Sequence, residues 1–173
     1  MICFPFMKEI GGALCLLVGG GEVALRKAKA LRPFDVKLRV CARELAAGWD
    51  APAFAAEYSP ALLEGADLCV AATDDPALNA RVAADCRARG IPVNCVDDRA
   101  NCDFYFPALI AAGNVSIGIS TGGAAPALAA ALRRRIERAL PEDLGEIAAR
   151  AERLRGDPAA YAAYIEEALG PEK

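Results

Sequence analysis

The sequence predicts an α/β fold with a parallel sheet, followed by a smaller region of different character. The first observation is the short apolar run Ala13–Val18, which ends at glycine and is typical of a buried strand. The second is that strand-like and helix-like segments alternate up to about residue 103. Such alternation indicates right-handed βαβ crossovers. A chain of 173 residues fits one domain, or one domain with a smaller appendage.

The segments before residue 103 supply the strands and helices of this sheet. The predicted strands are Ala13–Val18, Val36–Val40, the weakly patterned Phe54–Tyr58, Leu68–Ala72 and Ile91–Val96. The predicted helices are Val23–Leu31, which Pro33 closes, and Pro76–Arg89, which Gly90 ends. Asp74 or Asp75 is placed to cap the second helix. This order of elements is that of a Rossmann-like domain.

The pattern changes after residue 103. Two strand-like runs, Phe104–Ala111 and Val115–Ser120, flank Gly113-Asn114 and predict a hairpin. Three helices follow, at Ala125–Leu140, Asp143–Leu154 and Pro158–Leu169. We therefore expect a Rossmann domain at residues 1–112 and a hairpin and helical region at residues 113–173. Because the second region is too small to be stable alone, we expect it to dock on the first or on a second copy.

The composition excludes several classes of function. The net charge of −3 gives no globally basic surface for nucleic acid. No apolar run approaches the length of a membrane-spanning helix, and the N-terminus shows no signal peptide. The seven cysteines include no C-x-x-C pair, so we expect reduced thiols in a cytoplasmic protein and no metal site. The absence of histidine excludes Ser-His-Asp and Cys-His catalysis and leaves proton transfer to other groups.

The segment Gly19-Gly20-Gly21-Glu22-Val23-Ala24 fits the dinucleotide pattern G-x-G-x-x-A between a strand and a helix. In that pattern the first glycine permits a tight turn and the second lets the pyrophosphate approach the backbone. The helix N-terminus then offers N–H groups to the phosphates. We predict cofactor contacts from Gly19, Gly20, Gly21, Glu22 and Val23. The alternative is a glycine-rich turn that holds no ligand.

The end of the second strand leaves the type of dinucleotide open. Rossmann domains usually carry an acid there to hold the ribose hydroxyls. This chain instead has Val40-Cys41-Ala42-Arg43-Glu44. Glu44 lies slightly late in the sequence, and Arg43 would tolerate a 2′-phosphate. These residues alone do not decide between NAD and NADP.

Two later strands end in polar residues at the same predicted edge. Thr73 and Asp74 follow one strand, where they either touch the cofactor or form a capping turn. Asp97 and Asp98 follow the next. Since adjacent carboxylates repel each other, one of them would hold a proton more tightly if it were partly buried. Such a group suits a general base in a chain without histidine, and the alternative is a solvated loop.

The tail carries two features that fit an anionic ligand. Ser120-Thr121-Gly122-Gly123 opens the helix Ala125–Leu140, and an exposed helix N-terminus attracts anions. The alternative there is an ordinary N-cap. Within that helix, Arg133, Arg134, Arg135 and Arg138 form a basic cluster that is either solvated or in contact with an anionic ligand or a second subunit.

Six motifs in register resemble a known family. They are Phe4-Pro5, Val18–Lys27, Ala71–Asn79, Asn94–Asp98, Phe104–Ile110 and Ile119–Ala129. Together they make residues 4–155 similar to the precorrin-2 dehydrogenase/sirohydrochlorin ferrochelatase module of siroheme synthases. Because the chain ends at Lys173, we expect the stand-alone form, without the methyltransferase domain.

The resemblance implies NAD-dependent oxidation of precorrin-2 to sirohydrochlorin by a homodimer. In bifunctional members Fe²⁺, as a co-substrate, is then inserted to give siroheme. The family's motifs assign NAD contacts to the glycine turn, to Arg43 and Glu44, and to Thr73, and they assign the catalytic role to Asp97. Some members carry a serine that can be phosphorylated where this chain has Thr121.

The substrate of this family is a polycarboxylate, so a chain of net charge −3 must bind it with local positive groups. We expect Arg99, the helix end at Ser120, Thr121, Gly122 and Gly123, and the arginine cluster to serve this purpose. No residue is predicted to hold a resident metal.

Two other hypotheses remain beside the dehydrogenase. One is a nucleotide-sensing Rossmann module that regulates a partner, which would leave Asn94–Asp98 and Ser120–Pro126 without a purpose. The other is an NAD-dependent dehydrogenase of a different small acid. Incubation with precorrin-2 and NAD⁺ separates all three, because the sensor predicts binding without formation of NADH.

Overall fold

A computed structural model describes residues 3–50 and 52–170, which form two compact units. The first unit spans Met7–Phe106, and the second comprises the described residues before Met7 and from Pro107 onward. The division lies before the hairpin, whereas the predicted boundary at residues 112–113 runs through it. The physical reason is that the two hairpin strands bond to each other and form a sheet of their own. Among the described residues, no helix is long and apolar enough to cross a membrane.

The first unit is built on a four-stranded parallel sheet. Its strands and helices are β1 (Leu14–Val18), α1 (Glu22–Leu31), β2 (Lys37–Cys41), β3 (Leu68–Ala71), α2 (Pro76–Ala88) and β4 (Val93–Cys95). The strand order is β2-β1-β3-β4. The chain leaves β1 for one side of the sheet and returns for β3 on the other, so the order reverses between these two strands. Ligands of doubly wound sheets bind beside such a reversal, at the carboxyl ends of the strands.

Apolar side chains cover both faces of the sheet. On one face, Cys15, Leu17 and Val70 pack against Ala24 and Ala28 of α1. On the other face, Leu16, Val18 and Cys69 pack in one cluster with Val82 and Cys86 of α2. Successive residues of β1 therefore point to opposite faces, and every one of them from Cys15 onward is buried. Burial raises the pKa of the Cys15 thiol to about 12, which keeps it protonated and unreactive.

The second unit consists of a hairpin and three helices. The hairpin pairs β5 (Ala108–Ala112) with β6 (Val115–Ile119) in antiparallel register, as predicted. The helices are α3 (Pro126–Ala139), α4 (Leu144–Arg153) and α5 (Pro158–Leu169). The first hairpin strand is shorter than predicted, because Phe104 and Phe106 instead pack against the core of the first unit.

The predicted strand Phe54–Tyr58 is wrong. The segment makes only an isolated bridge, between Cys41 and Ala55, and the parallel sheet has four strands rather than five. Its apolar residues have other partners: Phe54 lies 5.3 Å from the Arg39 guanidinium, and the Tyr58 hydroxyl donates to Asp85 of α2 at 2.9 Å. These contacts hold the segment beside β2 without a continuous ladder.

The capping of α2 gives a test of this local structure. The Asp75 carboxylate accepts hydrogen bonds from the N–H groups of Ala77 and Leu78, at 2.9 and 3.2 Å, whereas its neighbour Asp74 is exposed and makes no part of the cap. We expect Asp75→Ala to lower the free energy of unfolding by about 1 kcal/mol. The matched change Asp74→Ala removes the same charge and should stay within about 0.5 kcal/mol of wild type. Urea unfolding of both variants measures the difference, and equal losses would contradict the assignment of the cap.

Candidate functional site

Gly19 joins the ends of three strands. Its N–H donates to the carbonyl of Cys41 at the end of β2, at 2.9 Å. Its φ is +122°, and a Cβ there would lie 2.2 Å from the carbonyl oxygen of Ala72, which follows β3. Any side chain would therefore be both strained and in collision with the backbone. Gly19 thus serves the tight turn that its position in the motif predicts.

Gly20 holds the loop that follows β2. A Cβ on Gly20 would lie 2.0 Å from the carbonyl oxygen of Glu44. The Gly20 carbonyl accepts two hydrogen bonds of 2.8 Å, from the N–H of Ala46 and from the indole N–H of Trp49. The sequence carries no signal for the Trp49 contact, since the two residues are 29 positions apart. The requirement for glycine here comes from the fold and needs no ligand.

Gly21 differs from its neighbours because a Cβ on it would meet nothing within 4 Å. It is the N-cap of α1, with a φ of −74°, and no side chain caps the helix. The first N–H groups of α1 therefore face open space at the edge of the sheet. This open cradle fits the pyrophosphate of a dinucleotide. Glu22 is exposed, whereas Val23 is partly buried and packs against the core.

Arg43 and Glu44 both lie exposed at the end of β2. The Arg43 guanidinium forms an ion pair of 2.9 Å with Glu57, a residue that no sequence motif marks. Glu44 contributes its carbonyl to the close contact with Gly20. The edge where the ribose hydroxyls are usually held thus carries one arginine and two carboxylates.

Thr73 follows β3 and is held by a buried asparagine. The Thr73 hydroxyl donates to Oδ1 of Asn79 at 2.7 Å, and the Asn79 amide donates back to the Thr73 carbonyl at 3.0 Å. Asn79 is only 5% exposed. These bonds explain the residue types and spacing of the Ala71–Asn79 motif in structural terms. The cofactor contact of Thr73 remains a prediction, and Asp75 rather than Asp74 is the helix cap.

Asp97 and Asp98 have different surroundings. The Asp98 carboxylate accepts from the backbone N–H and the side-chain amide of Asn101, at 3.3 and 2.7 Å, and so caps a short 3₁₀ helix, Arg99–Asn101. Asp97 is exposed and has a φ of 61°, in the left-handed region. Non-glycine residues seldom adopt this conformation, and they cluster at functional sites when they do. Of the two acids, Asp97 is therefore the one presented outward at the end of β4.

The Cys102 thiol closes the loop that carries Asp97. It lies 3.0 Å from the Cys95 carbonyl oxygen and 3.3 Å from that of Asp98, and it accepts from the Cys95 N–H at 3.2 Å. Burial raises the pKa of this thiol, which keeps it protonated and able to donate. Nearby, Asn94 is buried and donates to the Phe104 carbonyl at 2.9 Å. No sequence pattern connects Cys102 with the loop that carries Asp97, because these bonds depend on the path of the loop.

Lys27, in the second turn of α1, is half-buried and lies above the ring of Phe106, with its Nζ 4.2 Å from the ring centroid. Burial, and then the charge of Arg26, lower the pKa of the Lys27 ammonium. The negative charge of Asp97 opposes this shift. A cation therefore stands in the electrostatic neighbourhood of Asp97, although only the motif Val18–Lys27 had marked it in the sequence.

The remaining residues predicted to bind substrate lie partly in the first unit and partly in the second. Arg99 is exposed and opens the 3₁₀ helix next to Asp98. In the second unit, the Ser120 hydroxyl accepts from the Gly122 N–H and the Thr121 hydroxyl from the Ala125 N–H, both at 3.1 Å. Gly122 and Gly123 have φ values of 59° and 73°. Arg133 of the basic cluster is paired with Glu137 at 2.6 Å. The predicted contacts of these residues with substrate carboxylates remain predictions.

The first unit therefore brings together, at one edge of its sheet, the uncapped start of α1, the Arg43–Glu57 pair, Thr73 and the exposed Asp97. Residues 6–108 match the model of a family described as "Putative NAD(P)-binding". The chain belongs to this family. Membership confirms the predicted dinucleotide-binding domain. A second family model, sirohaem biosynthesis protein central, matches residues 113–139.

Curated relatives extend the similarity over most of the chain. A siroheme synthase of Pseudomonas fluorescens (strain Pf0-1) is 42% identical over 158 residues, which cover 87% of this chain and 34% of the relative. A siroheme synthase of Chromobacterium violaceum is 43% identical over 152 residues, which cover 84% of this chain and 32% of the relative. The chain thus spans about a third of the length of these relatives. Among solved structures, the fold is similar to that of SirC, a precorrin-2 dehydrogenase, with a TM-score of 0.68 and 22% sequence identity. The match covers 97% of this chain and 90% of the SirC chain.

The three glycines give a test that separates folding from cofactor binding. Gly20→Ala places a Cβ 2.0 Å from a backbone oxygen, so we expect the free energy of unfolding to fall by about 1–3 kcal/mol. Gly21→Ala meets no neighbour, so its stability should stay within about 1 kcal/mol of wild type. Its methyl group lies on the open face of the helix start, and we expect the affinity for NAD⁺ to fall by about tenfold or more. Urea unfolding and calorimetric titration measure the two effects. Unchanged NAD⁺ binding in Gly21→Ala would contradict the assigned pyrophosphate position.

Proposed function

We propose that this protein oxidises precorrin-2 to sirohydrochlorin, with NAD⁺ as the hydride acceptor. The observation that carries the proposal is the position of Asp97, which is exposed in a strained conformation at the same sheet edge as the uncapped start of α1. Similarity to siroheme synthases and the match of residues 113–139 support the choice of a tetrapyrrole substrate.

Some residues of the first unit would bind NAD⁺, and another would accept a proton from the substrate. The backbone N–H groups at the start of α1 would hold the pyrophosphate, and Arg43, Glu44 and Glu57 border the place for the adenosine ribose. Bound NAD⁺ supplies a two-electron acceptor for the hydride. The oxidation also releases one proton from the substrate, and the Asp97 carboxylate is the group that accepts it. The bonds of Cys102 and Asp98 hold the loop, so Asp97 keeps its outward position.

The substrate and partner assignments extend this proposal. The polycarboxylate substrate needs cations near Asp97, and we assign this role to Lys27 and Arg99, two basic residues of the first unit. We also propose that Ser120, Thr121, Gly122 and Gly123 contact substrate carboxylates, and that the protein works as a homodimer. Leu128 and Leu132, which are exposed on α3, support such an association.

A paired substitution tests the catalytic assignment. We expect Asp97→Asn to lower kcat by 10²-fold or more, because an amide cannot accept the proton, while the Kd for NAD⁺ stays unchanged. Asp98→Asn removes the neighbouring charge from a carboxylate that only caps a helix, and it should keep kcat within a few-fold of wild type. Steady-state kinetics with calorimetry on both variants decide the matter. If Asp98→Asn lost activity and Asp97→Asn kept it, the roles of the two acids would be reversed.

An anaerobic assay with precorrin-2, with NAD⁺ and NADP⁺ in parallel, tests the reaction itself. Formation of NADH together with the sirohydrochlorin spectrum is the expected result. Nucleotide binding with no NADH would favour a sensing module, and NADH with another small acid only would favour a different dehydrogenase. Insertion of Fe²⁺ is tested separately, by supplying sirohydrochlorin and Fe²⁺ and comparing the rate of siroheme formation with the spontaneous rate.

A further inference from the structure

We propose that Glu57 makes the dinucleotide site select NAD over NADP. This inference rests on the proposed use of a dinucleotide, and it identifies a residue outside the glycine motif. The end of β2 lacks the acid that usually holds the ribose hydroxyls, and it carries Arg43 instead. An unpaired arginine at this place would favour the 2′-phosphate of NADP. In the structure, however, Arg43 is paired with the carboxylate of Glu57 at 2.9 Å.

Hydrogen bonds to β2 bring Glu57 to this edge. The Phe54 N–H donates to the Val40 carbonyl at 2.7 Å, and the Ala42 N–H donates to the Ala55 carbonyl at 2.8 Å. These bonds align the segment in parallel with the last residues of β2, so that Glu57 emerges just beyond the strand end. The Cys41 thiol reports the same proximity, because its pKa is raised first by burial and then by the negative charge of Glu57. The segment Phe54–Tyr58, wrongly predicted as a strand, therefore places the carboxylate of Glu57 where the end of β2 lacks an acid.

The charge and exposure of the pair explain the selectivity. The two side chains are 78% and 75% exposed, so the ion pair contributes little to stability and is open to a ligand. With a free 2′-hydroxyl, NAD can donate a hydrogen bond to the Glu57 carboxylate. A 2′-phosphate would instead be repelled by Glu57 and would have to compete with it for Arg43. Discrimination thus comes from a repulsive element as well as an attractive one.

Glu44 is the competing candidate, since it is nearer to the strand end in the sequence. Its backbone carbonyl is fixed against Gly20, and it is Glu57 rather than Glu44 that forms the ion pair with Arg43. Selection of NAD over NADP requires a carboxylate that neutralises Arg43. The geometry therefore favours Glu57, and comparing Glu57→Gln with Glu44→Gln tests this choice.

Direct binding measurements test the proposal without any need for turnover. Trp49 is the single tryptophan and donates to the Gly20 carbonyl in the glycine turn, so its fluorescence provides a probe beside calorimetry. NAD⁺ and NADP⁺ are titrated into wild type, Glu57→Gln, Glu44→Gln and the double variant Glu57→Gln/Arg43→Ala. The matched control is Glu64→Gln, which removes the same charge from an exposed residue that lies ahead of β3 and forms no ion pair with Arg43.

In wild type we expect NAD⁺ to bind more tightly than NADP⁺. Glu57→Gln should lower the ratio of Kd for NADP⁺ to Kd for NAD⁺ by about tenfold, mainly through tighter binding of NADP⁺. The double variant should not bind NADP⁺ more tightly, because it lacks Arg43, the cation that pairs with Glu57 in wild type. Glu64→Gln should leave both constants at their wild-type values. Thermal unfolding of each variant confirms that the fold is retained.

The proposal is overturned if the ratio is unchanged in Glu57→Gln, if Glu64→Gln changes it equally, or if Glu44→Gln alone changes it. Failure of wild type to bind either nucleotide would overturn both this proposal and the use of NAD. If both nucleotides bind with the expected ratios but precorrin-2 is not oxidised, the proposed reaction fails and the role of Glu57 stands.

Discussion

The first unit depends on the close approach of the glycine turn to the ends of two neighbouring strands. Gly19 lies against the carbonyl of Ala72, and Gly20 against that of Glu44, at separations that leave no room for a Cβ. These contacts bring the ends of β1, β2 and β3 to one edge and place the start of α1 beside them. Gly21, in contrast, would have no neighbour within 4 Å of an added Cβ and is open to a ligand. The three glycines, which look equivalent in the motif, therefore divide into two that build the edge and one that leaves it accessible.

A similar division of roles is found at the ends of β3 and β4, where some polar side chains stabilise the loops and one is left exposed. Asp98 and Cys102 satisfy the backbone of the loop after β4, and Asn79 satisfies that of the turn after β3. Because their polar atoms are used in this way, Asp97 is left exposed and oriented by its neighbours rather than by contacts of its own. Rigid support of this kind suits the proposed role of Asp97 as a proton acceptor, since proton transfer depends on the position of a few atoms.

Much of this architecture was predictable from local pattern. The apolar runs and helix signals located every strand of the parallel sheet and both of its helices to within a few residues, and Gly113-Asn114 located the hairpin. The misassigned segment Phe54–Tyr58 shows the limit of that pattern. Its two aromatic residues serve a cation–π contact and a tyrosine–carboxylate bond, and the local pattern alone does not distinguish such contacts from those of a pleated strand. Likewise the domain boundary depended on which strand pairs with which, and pairing is a long-range property.

By itself, the sequence determined the class of fold, the dinucleotide turn and the short list of acids, because glycine patterns, capping residues and the absence of histidine act locally or through composition. The tertiary structure alone decided which acid is a cap and which is exposed, since Asn101 bonds to Asp98 while Asp97 points outward with a positive φ. It also decided that Trp49 and Glu57 belong to the cofactor edge. Both residues reach that edge through backbone hydrogen bonds and turns between distant positions, and no spacing along the chain encodes those contacts.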